Sequence, residues 1–568
     1  MAPGPSKATP GPLAHFTGGE RNLRAAPLFS PLLTRSETMN RTRLLPILLA
    51  ALFGVLAVPA GALAAPGQAT IMEDTSRIVN GDEATRAAAL EEFRALGVDT
   101  VKMSVFWRDV APAGASEQRP RFDAADPAAY PPGAWARYDA AIRAATERGF
   151  TVLLAPNSPA PEWATGRGER SGVRGAWKVD PAEYGLFVEA VGRRYSGTYE
   201  GLPRVSSFTL WNEPNHPLFM QPLSERLGGG PIAPSSPHRY RRMYVAGRNS
   251  LERTGHGGDT ILFGEILPIG SSQLGVTQTI RPVAFLREFF CLDSRYRPYR
   301  GRAARIRDCS RFPAIRTSGF AYHAYTRPAG PRVAIPNRDD ATIGQISRIE
   351  RALDRIGRVR RPARGLPIFN TEFGLQSNPP DCGGFGTSLE NQAAFINEAE
   401  YISYRRPRLR SYSNYLLVDS PILTQFGRGS NARYRGFQSG LRFGRNALAC
   451  TGTGVFPEGS EKPAYAAFRT PIFVRRTSSN GVQVFGRARP RGAEPQVIEI
   501  LRSGQVVGRV TATGYFQVPI SGSTSGPWQL RWSFGDETFL SRQARALSDP
   551  PTSGRGPSRG PDRSAIGR

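Results

Sequence analysis

Apolar runs and helical periods alternate along most of this chain. Residues 100–107 (TVKMSVFW), 150–155, 205–211, 260–267, 319–325 and 367–372 are short and almost continuously apolar, the pattern of strands buried on both faces. Between them, Trp135, Tyr138, Ile142 and Ala145 recur at helical spacing, with Gly149 as a stop. Residues 181–195 read as a second helix, and Ile343, Ile346, Ile349, Leu353 and Ile356 mark one face of a third. Strand–helix alternation from about residue 71 to 470 predicts a parallel sheet, and about eight repeats predict a closed (β/α)8 TIM barrel. A doubly wound open sheet is the alternative, but no G-x-G-x-x-G follows the first strand and no Walker loop occurs.

From about Thr470 the period changes. Short β-rich runs separated by Asn480-Gly481, Ser503-Gly504 and Gly522 predict a small all-β sandwich of Ig-like size. Trp528, Leu530, Trp532 and Phe534 share one strand face, while Gln529, Arg531 and Ser533 share the other. An all-apolar face is a core face, so these tryptophans are expected inside rather than on a sugar-stacking platform. The α/β reading therefore places the barrel at 65–470, the sandwich at 471–545 and a disordered basic tail at 546–568, where Pro, Gly, Ser and Arg dominate.

The first 64 residues read as an N-terminal extension and an export signal. Met39 opens a basic stretch (Arg41, Arg43), residues 44–63 are almost entirely apolar, and Ala62-Leu63-Ala64 fits small-x-small cleavage. Translation starting at Met39 and cleavage after Ala64 are expected, with an uncleaved single-helix anchor as the alternative. A secreted or envelope-associated protein follows. Its four cysteines, Cys291, Cys309, Cys382 and Cys450, show no C-x-x-C spacing. In an oxidising compartment they are expected as disulfides, paired by sequence proximity as Cys291–Cys309 and Cys382–Cys450.

Composition adds one constraint. The 568 residues carry a formal net charge of +27, with 40% hydrophobic and 10% aromatic residues, which excludes global disorder. A single long apolar run excludes a multi-span membrane protein. Only Lys7, Lys102, Lys178 and Lys462 are lysines, and the arginines run through every region. That spread argues against a nucleic-acid footprint and reads first as an Arg-heavy composition on an ordinary surface; the functional alternative is attraction to an acidic polymer, an anionic envelope or an acidic substrate.

Function in such barrels sits at the C-terminal ends of the strands. Two runs close there on a glutamate: Trp211-Asn212-Glu213-Pro214-Asn215, and Asn370-Thr371-Glu372-Phe373-Gly374. Pro214 is expected to hold Glu213 extended and to end the ladder. Two carboxyls facing one gap are what glycosidic cleavage requires: one protonates the departing oxygen, and the other attacks the anomeric carbon or activates water. Glu265, near the end of the run at 260–267, is a third carboxylate, expected to be paired inside the barrel rather than to bind substrate. Two carboxyls and water suffice, so no metal or organic cofactor is expected.

W-N-E-P and T-E-F-G at these positions resemble the acid/base and nucleophile motifs of glycoside hydrolase clan A, with families 5 and 39 the nearest relatives suspected. The resemblance covers the barrel and not the sandwich. It implies retaining hydrolysis of a β-linked carbohydrate, with Glu213 on the fourth strand as acid/base and Glu372 on the seventh as nucleophile. It also implies that Asn212 bonds the sugar 2-hydroxyl, that Tyr325 of the His323-Ala324-Tyr325 pattern touches Glu372, and that His323 lines the cleft. Trp107, ending the second strand, is a subsite candidate, with core packing as the alternative. Two positions depart from the clan. Lys102 stands where an arginine usually flanks the nucleophile, keeping the charge without the planar fork. Tyr415 is all that the eighth strand offers in place of a sugar-stacking tryptophan. Loops 221–237 and 378–387 are expected to line the mouth. A monomer is expected. The rival readings are a catalytically weak carbohydrate-binding protein on a hydrolase barrel, and an envelope-associated protein held by its basic surface.

Overall fold

Eight parallel strands hydrogen-bond in sequence order, and the last closes on the first: β1 (Ala69–Glu73), β2 (Thr100–Phe106), β3 (Thr151–Asn157), β4 (Ser207–Thr209), β5 (Thr260–Ile266), β6 (Gly319–His323), β7 (Ile368–Glu372) and β8 (Leu409–Tyr415). The computed structural model describes residues 67–167, 172–490 and 494–550. The expected export signal, its cleavage point and the tail beyond residue 550 lie outside these residues.

A helix packs outside after each strand: α1 (Glu83–Ala95), α2 (Ala136–Glu147), α3 (Pro181–Arg194), α4 (Ser236–Leu251), α5 (Pro282–Phe289), α6 (Ser347–Gly357), α7 (Leu389–Tyr404) and α8 (Pro463–Arg469). Local chemistry sets their starts. Asp82, Asp180 and Ser388 accept from free backbone N–H groups of α1, α3 and α7, and Pro opens α3, α5 and α8. Period-2 alternation then decides what fills the barrel. Ile71, Leu153, Leu262 and Ala321, with Phe369, form an inner apolar layer. Glu73 and His323 lie two residues further along their strands, so they enter the barrel one layer nearer the mouth.

The fourth strand is shorter than its apolar run, three residues rather than seven, because the chain turns at Trp211 and Glu213, both at positive φ (73° and 37°). The expected loop at 221–237 holds a small antiparallel hairpin, Ser224–Arg226 with Ile232–Pro234. Both expected disulfides are present. Cys382–Cys450 ties the segment after β7 to the one after β8. Beside it, Lys462 is fully buried and bonds Asp419 (2.7 Å), Ser377 (2.9 Å) and the Gln438 carbonyl (3.2 Å). Among the described residues, no helix is long and apolar enough to cross a membrane.

The C-terminal sandwich has two antiparallel sheets. One contains β9 (Ile472–Ser478), β10 (Gly481–Arg487) and β13 (Tyr515–Ser521); the other contains β11 (Gln496–Arg502), β12 (Gln505–Ala512), β14 (Trp528–Phe534) and β15 (Glu537–Leu540). Trp528, Leu530 and Trp532 are in its core, but Phe534 is 41% exposed, because β14 runs past the edge of the core there. The chain stays packed beyond residue 545. Ala546 belongs to the core, Leu547 bridges Arg475, and Asp549 pairs with Arg405 and Arg475.

The sandwich meets the barrel through buried charge. Arg489 and Glu400 of α7 are both fully buried and form an ion pair, and Tyr515 donates to Glu400 at 2.6 Å. Arg487 and Arg489 also donate to the Thr70 hydroxyl of β1, at 2.7 and 3.3 Å.

Candidate active site

The mouth of the barrel gathers four carboxyls around two cations. Lys102 reaches up from β2 with only 1% of its side chain exposed. Its ammonium lies 2.6 Å from Glu372, 2.7 Å from Glu265 and 3.2 Å from Glu73. A lysine has three N–H donors spread around one nitrogen, and here each faces a different carboxylate. A planar guanidinium, with its donors in a fixed fork, does not match that three-way arrangement. This is the structural meaning of lysine at the position where the resemblance leads one to expect arginine.

His323 is the second cation. Its Nδ1 lies 2.7 Å from Glu213 and 3.3 Å from Glu372, and its Nε2 lies 2.7 Å from Glu265. It is fully buried, so it braces the carboxyls from beneath and does not line the cleft as expected. Burial alone would lower its pKa, but Glu372 and Glu265 outweigh that and push it up to about 10. Tyr325 donates to the other oxygen of Glu372 at 3.0 Å. Glu372 keeps 12% of its side chain exposed, and Glu213 keeps 10%.

The local folding explains how these groups arrive. Gly264 has φ 127°, Glu265 has φ 53°, and the β5–β6 register slips between Gly264 and Ile266. This bulge turns Glu265 inward, where it also accepts from Thr209 at 3.1 Å. A Cβ at position 264 would lie 2.2 Å from the Ala321 carbonyl oxygen, so the bulge needs glycine. A second slip, between β6 and β7, sets His323 opposite Glu372. Glu213 is not extended as expected. Its N–H donates to the Glu265 carbonyl at 2.9 Å and its own carbonyl accepts from His216 at 2.8 Å, bonds that hold it in the left-handed region. Asn215 locks the same turn through the carbonyls of Leu267 and Ile280.

The nearest ligating atoms of Glu213, His323 and Glu372 all lie within 4.8 Å of one another. The two carboxyls that the sequence separates by 159 positions therefore face one gap. Burial raises the pKa of Glu213, helped by the negative charge of Glu372 and opposed by His323. Burial also lifts Glu73, against the pull of Lys102, up to about 7. Lys102, conversely, holds Glu265 far below the usual carboxylate range despite its burial. Burial thus favours the protonated form of Glu213 and Glu73, while Lys102 favours the anion at Glu265. As a metal site, the Glu213–His323–Glu372 set fits poorly: both ring nitrogens of His323 are engaged by carboxylates, and the ring carries its proton at neutral pH.

The other candidates fall on both sides of the cleft wall. The Asn212 amide is 8% exposed and has no hydrogen-bond partner among the described residues. Tyr415 is half-buried, in register with Glu73 and edge-on to the 45% exposed Phe437 at 5.1 Å. Trp107 is a correction: it is 1% exposed and stacks on Phe187 at 5.3 Å, beside Trp163. The chain enters a short helical turn at residues 107–110, which folds that indole back into the core. Glu73 is the residue that sequence reasoning missed. Its only signal is a charge closing the apolar run Ile71-Met72 just before Asp74, which caps the next turn.

No protein-family model and no curated protein matches the chain. Similar solved structures include a GH5_18 protein of Streptomyces cattleya in complex with GlcNAc, at 14% identity over 67% of this chain and 76% of that one, with a TM-score of 0.41. The β-glycosidase of the hyperthermophile Thermosphaera aggregans matches at 11% identity over 66% and 92%, with a TM-score of 0.39. The exo-β-1,4-mannosidase Op5Man5 of Opitutaceae bacterium strain TAV5 matches at 15% identity over 72% and 60%, with a TM-score of 0.37. At such low identities and scores, none of them assigns an activity to this chain.

Proposed function

We propose that this protein is an exported, retaining glycoside hydrolase that cleaves β-linked O-glycosides by double displacement. The observation that carries the reading is the pair Glu213 and Glu372, opposed across a gap of under 4.8 Å between nearest oxygens at the C-terminal ends of β4 and β7. Carboxyl groups set about 5–5.5 Å apart suit direct attack, and wider pairs leave room for an intervening water.

In the first step a Glu372 oxygen bonds to the anomeric carbon while the glycosidic C–O bond breaks. The departing oxygen takes the proton of Glu213. Lys102 and Tyr325 both donate to Glu372, one to each oxygen, and so fix the orientation of the attacking carboxylate. Formation of the glycosyl ester removes the negative charge that helps to hold the proton on Glu213. Glu213 then becomes the base that takes a proton from water, and the hydroxide equivalent displaces Glu372. Asn212, unpartnered at the rim, is placed to bond a sugar hydroxyl. The two disulfides fit an oxidising compartment, in line with the export signal at the N-terminus.

Glu213→Gln tests the assignment. It is expected to lower kcat on alkyl β-glycosides by about 10³-fold or more, while sparing aryl glycosides whose leaving groups need no proton. Product NMR should show the β-anomer first. Wild-type rates on both substrate classes, or an inverted first product, would sink the proposal.

A further inference from the structure

Helix α6 sorts its charges by face. Glu350 and Asp354, one turn apart, are neutralised by Arg406 (3.1 Å) and Arg408 (3.0 Å). Arg348, Arg351 and Arg355 lie on another face, at i, i+3 and i+7, where like charges repel. That face lines a cavity of about 790 Å³ on the outside of the barrel, shared with α5, Tyr296 and the loop at 334–339. Arg287 and Arg338 complete its basic wall.

The cavity holds one carboxylate, and it is already taken: Asp339 receives both ends of the Arg287 guanidinium, at 2.9 and 2.6 Å. Arg348 is spent on the carbonyls of Asn337 (2.6 Å), Asp340 (2.9 Å) and Ile335 (2.9 Å), which pins the loop carrying Arg338 against the helix. Burial lowers the pKa of Arg348, and repulsion from Arg351 and Arg338 lowers it further. Arg338, Arg351 and Arg355 make no ion pair among the described residues, and Arg355 sits over the Tyr296 ring at 4.1 Å. With 74 basic and 47 acidic residues, many arginines must go unpaired somewhere. Here the unpaired ones converge on a single hollow, on successive turns, against their mutual repulsion.

We propose that this cavity binds an anionic polysaccharide, a chain carrying carboxylate or phosphate groups, at a site separate from the catalytic mouth. The helical rise sets Arg351 and Arg355 about 6 Å apart along the axis, a spacing suited to successive charges on an extended chain. The choice of a polysaccharide rests on the glycosidase reading; the anion site does not. Such a site would hold the enzyme against an acidic substrate or envelope while the mouth works.

Titration calorimetry on the whole protein tests this with four probes of matched length: an oligogalacturonate, inorganic polyphosphate, a neutral glucan and single-stranded DNA. The oligogalacturonate or the polyphosphate is expected to bind in a salt-sensitive way, and the preferred one identifies the charged group as carboxylate or phosphate. Combining Arg338→Gln, Arg351→Gln and Arg355→Gln should weaken that binding at least about tenfold and flatten its salt dependence. The control combination Arg121→Gln, Arg143→Gln and Arg311→Gln removes equal charge elsewhere and should change affinity less than about twofold. Both should keep wild-type kinetics on aryl glycosides. Equal weakening by the two combinations, no binding of either anionic probe, or DNA binding as tightly as the better of them would overturn the proposal. A protein that binds the anion but cleaves no glycoside would instead sink the glycosidase reading alone.

Discussion

Two buried charge clusters sit at opposite ends of the five-residue strand β1. Thr70 reaches Arg487 and Arg489 on the sandwich side, and Glu73 reaches Lys102 on the side of the mouth. The first cluster is matched. Arg489 faces Glu400 and Arg487 faces Asp99 at 3.7 Å, and a phenol, a hydroxyl and the Phe468 carbonyl add neutral partners. The second is mismatched, with four carboxyls for two cations, and burial there raises the proton affinity of Glu213 and Glu73. A buried ion pair is costly to break and contributes little net stability. A buried surplus of carboxyls is costly to keep, and what it yields is a movable proton. The same strand thus anchors a joint at one end and a reaction at the other.

The comparison can be broken first at its reactive end. Glu372→Gln should lower kcat/KM by about 10⁴-fold or more, with a shift in unfolding free energy within about 1 kcal/mol, since Lys102 keeps two carboxylates. Chemical denaturation alongside steady-state kinetics checks both halves. Arg489→Met should do the opposite: a loss of about 3–5 kcal/mol of stability, because Glu400 is left buried and unpaired, with kcat per folded molecule retained. Adding Glu400→Met should recover much of that loss. Were Arg489→Met neutral, the matched cluster would not be a joint at all.

The smallest effect is the most diagnostic. Glu73 is pushed up to about 7 from 4.5. Between those values the native state holds a proton that the unfolded chain has released, so its contribution is complete below 4.5 and is lost as pH rises through 7. Glu73→Gln has no proton to lose. Its stability relative to wild type should therefore improve between pH 4 and pH 8, by about 1–3 kcal/mol, read from denaturation curves at the two pH values. A pH-independent difference would mean that Glu73 binds its proton equally in the folded and unfolded states, and the shift would fall.

Much of this was legible from the chain itself, and the misses share a cause. Alternating apolar runs identified the barrel, and Glu213 and Glu372 stood out because each closes such a run beside a Pro or a Gly. What periodicity does not show is a local break in register. The bulge at Gly264 and Glu265 turns an apparent strand residue into the central anion, and the turn at Trp211 and Glu213 replaces an expected extended segment. Of the two readings open for Trp107, core packing holds for a similar reason: one helical turn begins where a strand end is expected. His323 was marked as a cleft residue, although its depth depends on how three neighbouring strands register. Glu73 carries no motif, and only the closure of β8 onto β1 reveals what it faces.

That closure also sets a timetable. The hydroxyl of Thr70 takes its second donor from a residue 419 positions later. During synthesis β1 can pair with β2 early, but this last contact forms only when nearly all of the described chain has emerged. A barrel cut at residue 470 would leave the Glu400 carboxylate without its guanidinium, on the face that the sandwich covers.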